Sequence, residues 1–156
     1  ATPAELAWQP RPGTNTIGML IAHIAIVEVY WMMVANQTFG DDYFERVHGL
    51  LGIGPDDDGI PAATDALPPA TLAGKDLAFY DDLMARARRH TKEIAVRWNA
   101  ADVDARVERT RRDGSKWEMN RRWILYHVLE HQAGHYYQIN LLRHLYREHA
   151  KVGVPA

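Results

Sequence analysis

Residues 17–35, "IGMLIAHIAIVEVYWMMVA", form an almost unbroken apolar run of 19 positions, and any fold must first find a place for it. The run is long enough to cross a bilayer. His23 and Glu28 stand in its middle, however, where both are costly in lipid, and no second segment of this kind exists in the chain. The expected form is therefore a buried helix of a bundle, covered on several sides because it is apolar almost all round. "PRPGTN" makes a turn before it, with Thr14, Asn15 or Thr16 as candidate N-caps, and the helix is expected to run to about Gln37.

A chain of 156 residues suits a single domain, 1–156, with a sizeable core. The formal charge of −2 gives no general attraction for nucleic acid or an anionic membrane, so neither is an expected partner. The segment 106–122 is locally basic, with seven Arg or Lys against Glu108, Asp113 and Glu118, and reads as a solvated surface of mixed sign. There is no cysteine. That removes disulfides, zinc-thiolate sites and a thiol nucleophile on the protein together, so any sulfur chemistry needs a thiol carried on a small molecule. The opening "ATPAELAWQPRPG" has no secretory pattern, and a cytoplasmic location is expected.

Helical spacing recurs along the rest of the chain. "DDYFERVHGLLG" predicts a shorter helix stopped by Gly52 and Gly54, followed by a Pro-, Gly- and Asp-rich loop long enough to wall a site. A third helix is expected from about Leu72 to Trp98, with Leu77, Tyr80, Met84, Ala87, Thr91, Ile94 and Trp98 on its inner stripe. Val103, Val107 and Trp117 flank an Asp113-Gly114 turn that suits a short hairpin. The last helix runs from about Asn120 to His149. Strands are otherwise nearly absent, and the expected class is all-α, a helical bundle. With one long helix fewer than the usual four, either a helix precedes Ala1 or the apolar first helix packs against a second copy, as a homodimer.

The last helix carries "HVLEHQAGH", which puts His127, His131 and His135 four residues apart on one face. With Trp123 at 0°, they fall at about 40°, 80° and 120°, within the arc of Ile124, Val128, Leu142 and Leu145. Three imidazoles on a face that buries itself demand more polar partners than a dry core supplies. Strung over about 12 Å of helix, they cannot all reach one ion. His23 on the first helix, facing an i,i+4 pair of them, makes an open three-nitrogen metal site from two helices. A zincin motif is excluded by Gln132 in "HQAGH", and no Glu-x-x-His pair of the di-iron type occurs.

"NTIGMLIAHIAIVEVYWM" at 15–32 and "RRWILYHVLEHQAGHYYQINLLRHL" at 121–145 together resemble the DinB/YfiT-like superfamily of helical metalloproteins. Its members pair an Asn-Ser/Thr-Ile start, on a helix with one histidine, with a later His-x3-His-x3-His-like segment. Gln-Ile and a Leu-Leu-Arg run follow, matched here by Gln138, Ile139, Leu141, Leu142 and Arg143. The resemblance implies an up-down-down-up bundle holding Zn or Ni through His23, His131 and His135. It places His127 one turn away, and His127, Glu130 and Gln138 become candidates for orienting those ligands, handling protons or lining the cavity. The family's first helix lies before a segment matched here by "ATPAELAWQP".

Characterised relatives include enzymes that use low-molecular-weight thiols such as bacillithiol or mycothiol. The leading expectation is a metal-dependent S-transferase acting with such a thiol on an electrophilic substrate. The alternatives are a hydrolase using metal-bound water on the same ligands, and a non-catalytic dimer that binds metal or a small ligand.

Overall fold

The apolar run becomes helix α2, Ile17–Ala35. Of the three candidate caps it is Thr16 that starts it, accepting a hydrogen bond from the Met19 amide at 3.1 Å and so satisfying a donor that every helix start leaves without an intrahelical partner. Fifteen of its nineteen residues are buried. The computed structural model describes residues 1–111 and 113–152 and shows what covers them. The short helix α1, Pro3–Ala7, unexpected although Thr2 caps it and Pro3 starts it, inserts Leu6 into the core. Helix α3, Tyr43–Leu51, stops at Gly52, whose φ of 73° is the left-handed turn that glycine adopts without cost.

A long loop, 52–69, leads through a 3₁₀ turn, Ala70–Leu72, to helix α4, Leu77–Ala95, capped by Asp76. Helix α5, Ala100–Asp104, opens with a capping box between Asn99 and Asp102. Strands β1, Arg106–Thr110, and β2, Lys116–Asn120, then pair antiparallel, with Val107 opposite Met119 and Arg109 opposite Trp117. The hairpin expected around Asp113-Gly114 is therefore present, and the chain is mostly helical with one small sheet rather than purely α. Helix α6, Arg121–Val152, follows β2 directly.

The long helices meet along α2. Helix α6 runs antiparallel to it: Arg121 Nε donates to the Ala35 carbonyl at 2.8 Å, and His135 lies against His23. Helix α4 runs parallel, and here Gly18 is required by packing, because a Cβ at that position would stand 2.2 Å from the Tyr80 hydroxyl. One core lies around Met19, Leu20, Met33, Val47 and Leu83; a second closes the far end of α2 with Trp31, Val107, Met119, Ile124 and Val128.

Most of α2 is covered within its own chain. Uncovered apolar side chains are frequent on α6, at Tyr126, Leu129, Tyr136, Tyr137 and Leu141. Leu145, expected inside, is 44% exposed. The cause is length: 32 residues of α6 against 19 of α2 leave it overhanging by about 20 Å at 1.5 Å per residue. Leu77, also expected on an inner stripe, is the exposed first residue of α4. In the basic stretch 106–122, Arg106 pairs with Glu118, Lys116 with Glu108 and Arg122 with Asp104; Arg112 lies outside the described residues.

Glu28 is 1% exposed and sits where the three long helices meet. Its carboxylate accepts from Thr91 Oγ1 at 2.6 Å, Arg88 Nη2 at 3.1 Å and Gln132 Nε2 at 2.6 Å. A carboxylate this deep is tolerable only with such a set of donors. Glu28→Ala would leave the Thr91 hydroxyl and the Gln132 Nε2 donor without a partner and open a void, and should cost about 2–4 kcal/mol in denaturant unfolding. Thr91→Ser, which keeps the hydroxyl, should cost far less.

Candidate metal centre

Only four residues of α2 are less than fully buried: Ile21, His23, Val27 and Tyr30. The last three share one face of the helix, at i, i+4 and i+7. His23 lies at one end of this face, opposite His131 and His135, which are one turn apart on α6. The Nε2 atom of His131 is 3.2 Å from that of His23 and 3.1 Å from that of His135. One ring nitrogen from each of the three lies within 4.8 Å of the others, and all three side chains are half-buried.

The outer nitrogens decide what these inner ones present. His23 Nδ1 is 2.9 Å from Asp58 Oδ2. A carboxylate accepts, so the ring proton belongs on Nδ1, and the Nε2 of neutral His23 is a lone pair. His135 Nδ1 is 2.8 Å from Gln138 Oε1, which likewise accepts and leaves Nε2 of that ring as a lone pair. Both lone pairs face His131 Nε2, which has at most one proton to donate. Hydrogen bonding alone therefore cannot satisfy the cluster.

A divalent cation can. Neighbouring ligands of a tetrahedral centre with bonds of about 2.0–2.1 Å stand about 3.3 Å apart, close to the observed separations. Protonation is opposed as well. Burial, reinforced by the three other histidines, depresses His131 to about 4, and burial also lowers His135 although Gln138 works against it.

The other expected residues lie at different distances from this group. His127 stands outside it, its ring stacked on Trp123 at 4.9 Å and edge-on to Trp31 at 4.9 Å. Its centroid is 6.2 Å from that of His131. Glu130 faces solvent, with an oxygen 3.7 Å from His127 Nδ1. Gln138 holds His135.

The sequence reading missed Asp58. It sits in the loop stretch "GPDDDG", where no spacing rule links it to His23, and only the acid run in a site-walling loop hinted at it. It is 3% exposed, and its second oxygen accepts from the Ile60 amide at 2.9 Å. That bond fixes the carboxylate toward the ring. Gln132, read only as the residue that excludes a zincin, carries the Glu28 network to the turn that bears His131.

A sign can be assigned to the pH dependence of the metal-free protein. His131 is depressed in the folded chain relative to about 6.5 unfolded, so its contribution is complete above pH 6.5 and is lost as pH falls toward 4. The melting temperature of metal-free protein should fall across that window. His131→Asn should flatten the fall, and an unchanged profile in that variant would contradict the assignment.

Comparison with known proteins adds a family to this geometry. The profile of the DinB superfamily matches residues 1–139. Searches of curated proteins and of solved structures find no match. With the profile spanning nearly the whole chain, the protein belongs to the DinB superfamily.

Proposed function

We propose that the protein is a metal-dependent S-transferase of this superfamily that joins an external low-molecular-weight thiol, through its sulfur, to an electrophilic substrate. Zn or Ni is the proposed ion, and His23, His131 and His135 are its proposed ligands. The observation that carries the reading is the convergence of the three Nε2 atoms, two of them held as lone pairs by Asp58 and Gln138. The antiparallel α2–α6 pair and the parallel α2–α4 pair suit three members of an up-down-down-up bundle. A cysteine-free chain suits a protein whose sulfur arrives with its substrate, in a cytoplasm where thiols stay reduced.

Three neutral imidazoles leave a divalent ion its full charge, and with an open position such an ion keeps a thiol ionised near neutral pH. The chain's own part is to hold and orient. Asp58 and Gln138 fix two of the rings, and His127, backed by Trp31 and Trp123, lies beside the group where it can accept the thiol proton. The sulfur lone pair then forms the S–C bond as the leaving group departs with its bonding pair. The outward apolar stripe of α6 is the proposed contact with a second copy.

The test is elemental analysis of protein purified without an affinity metal, followed by turnover assays with and without a thiol such as glutathione, bacillithiol or mycothiol. His23→Ala, His131→Ala and His135→Ala should each lose stoichiometric metal, whereas His127→Ala should retain it. Asp58→Ala should weaken metal binding by about 10–100-fold. Turnover that needs no thiol would replace transfer by hydrolysis, and full metal content in His131→Ala would overturn the ligand set.

A further inference from the structure

The stripe of α2 that begins at His23 continues past Tyr30 to Val34, where a cavity of about 610 Å³ opens. Its walls come from the loop after α2, the start of α3 and strand β1. Phe39, Tyr43 and Phe44 make it aromatic, and Arg109 lines it from the strand. The size is that of a small-molecule site.

Arg109 is held there in an unusual way. Its guanidinium carbon lies 5.0 Å from the ring centre of Tyr30 and 5.8 Å from that of Phe39. Among the described residues no acid pairs with it: the neighbouring Glu108 is engaged by Lys116 at 2.8 Å. Its Nε and the Tyr30 hydroxyl are both buried without a hydrogen-bond partner among those residues. Aromatic faces thus position the cation and leave its charge uncompensated. Burial pushes the phenols of Tyr30 and Tyr43 up, so they add no negative charge at neutral pH.

We propose that this cavity is a binding site for an organic monocarboxylate, its carboxylate on Arg109 and its apolar body against Phe39, Tyr43 and Phe44. The planar guanidinium fork matches a carboxylate in two parallel hydrogen bonds. Asp41 also lines the cavity, and it opposes a second negative charge. A phosphate dianion, facing Arg109 and this acid, is therefore disfavoured. The site needs no metal ion and stands independently of the proposed centre at His23.

Titrating metal-free protein with 3-phenylpropanoate at neutral pH, followed by amide chemical shifts, tests this directly. The acid should shift residues around Phe39 and Arg109. Its neutral amide should bind about tenfold more weakly or worse, the worth of a charge-assisted hydrogen bond. Arg109→Gln should abolish the preference for the acid. Phe44→Ala, a change at a half-exposed ring that leaves the core intact, should weaken acid and amide alike. Equal binding of acid and amide, tighter binding of benzyl phosphate than of the acid, or no saturable binding at millimolar concentration would each overturn the proposal.

Discussion

A carboxylate with almost no exposed surface holds the long helices in register. Glu28 is the point where α2, α4 and α6 meet through side-chain hydrogen bonds, and its partners define how far each helix slides along the others. Thr91 sets α4 against α2. Gln132 sets α6 against α2, one residue from His131. If α6 shifted by a turn, about 5.4 Å, His131 and His135 would no longer face His23. A stabilising contact in the core and the geometry of the histidine cluster are consequently one constraint.

The same contact accounts for why an apolar helix tolerates charge at its centre. Burial of Ile, Val, Met and Trp on every side supplies the driving force for α2, while Glu28 and His23 select one arrangement from the many that grease alone would allow. Both polar residues are met from elsewhere in the chain: Glu28 by side chains of α4 and α6, His23 by the 52–69 loop and α6. The helix carries the demand, and distant segments supply the partners.

That division explains what could be read in advance. The long helices, a cap within Thr14–Thr16, the Gly52 stop and the hairpin around Asp113-Gly114 follow from local spacing and turn chemistry, which depend on neighbours a few residues apart. His23, His131 and His135 were visible as polar exceptions on apolar faces. Asp58 was not, because its partnership with His23 crosses 35 residues and a loop whose path no periodicity describes. The outward turn of Leu145 was equally hidden: the wheel places it correctly on its face, but only the unequal lengths of α2 and α6 show that α2 falls short of it. Arg109 looked like one of seven basic residues on a solvated stretch, and its aromatic seat depends on Phe39 from a distant turn.

The bond between Asp58 and His23 joins two parts of the molecule with different freedom to vary. His23 belongs to a helix packed on nearly all sides, where almost any exchange disturbs the core. Asp58 belongs to a long loop outside the helices, which touches the core at Ile53, Ile60 and Ala62 and is freer to change at its other positions. Orientation of the His23 ring is thereby set from a segment outside the helices. Within such a scaffold, reactivity at the cluster is free to diverge among descendants while the helices that carry it stay the same.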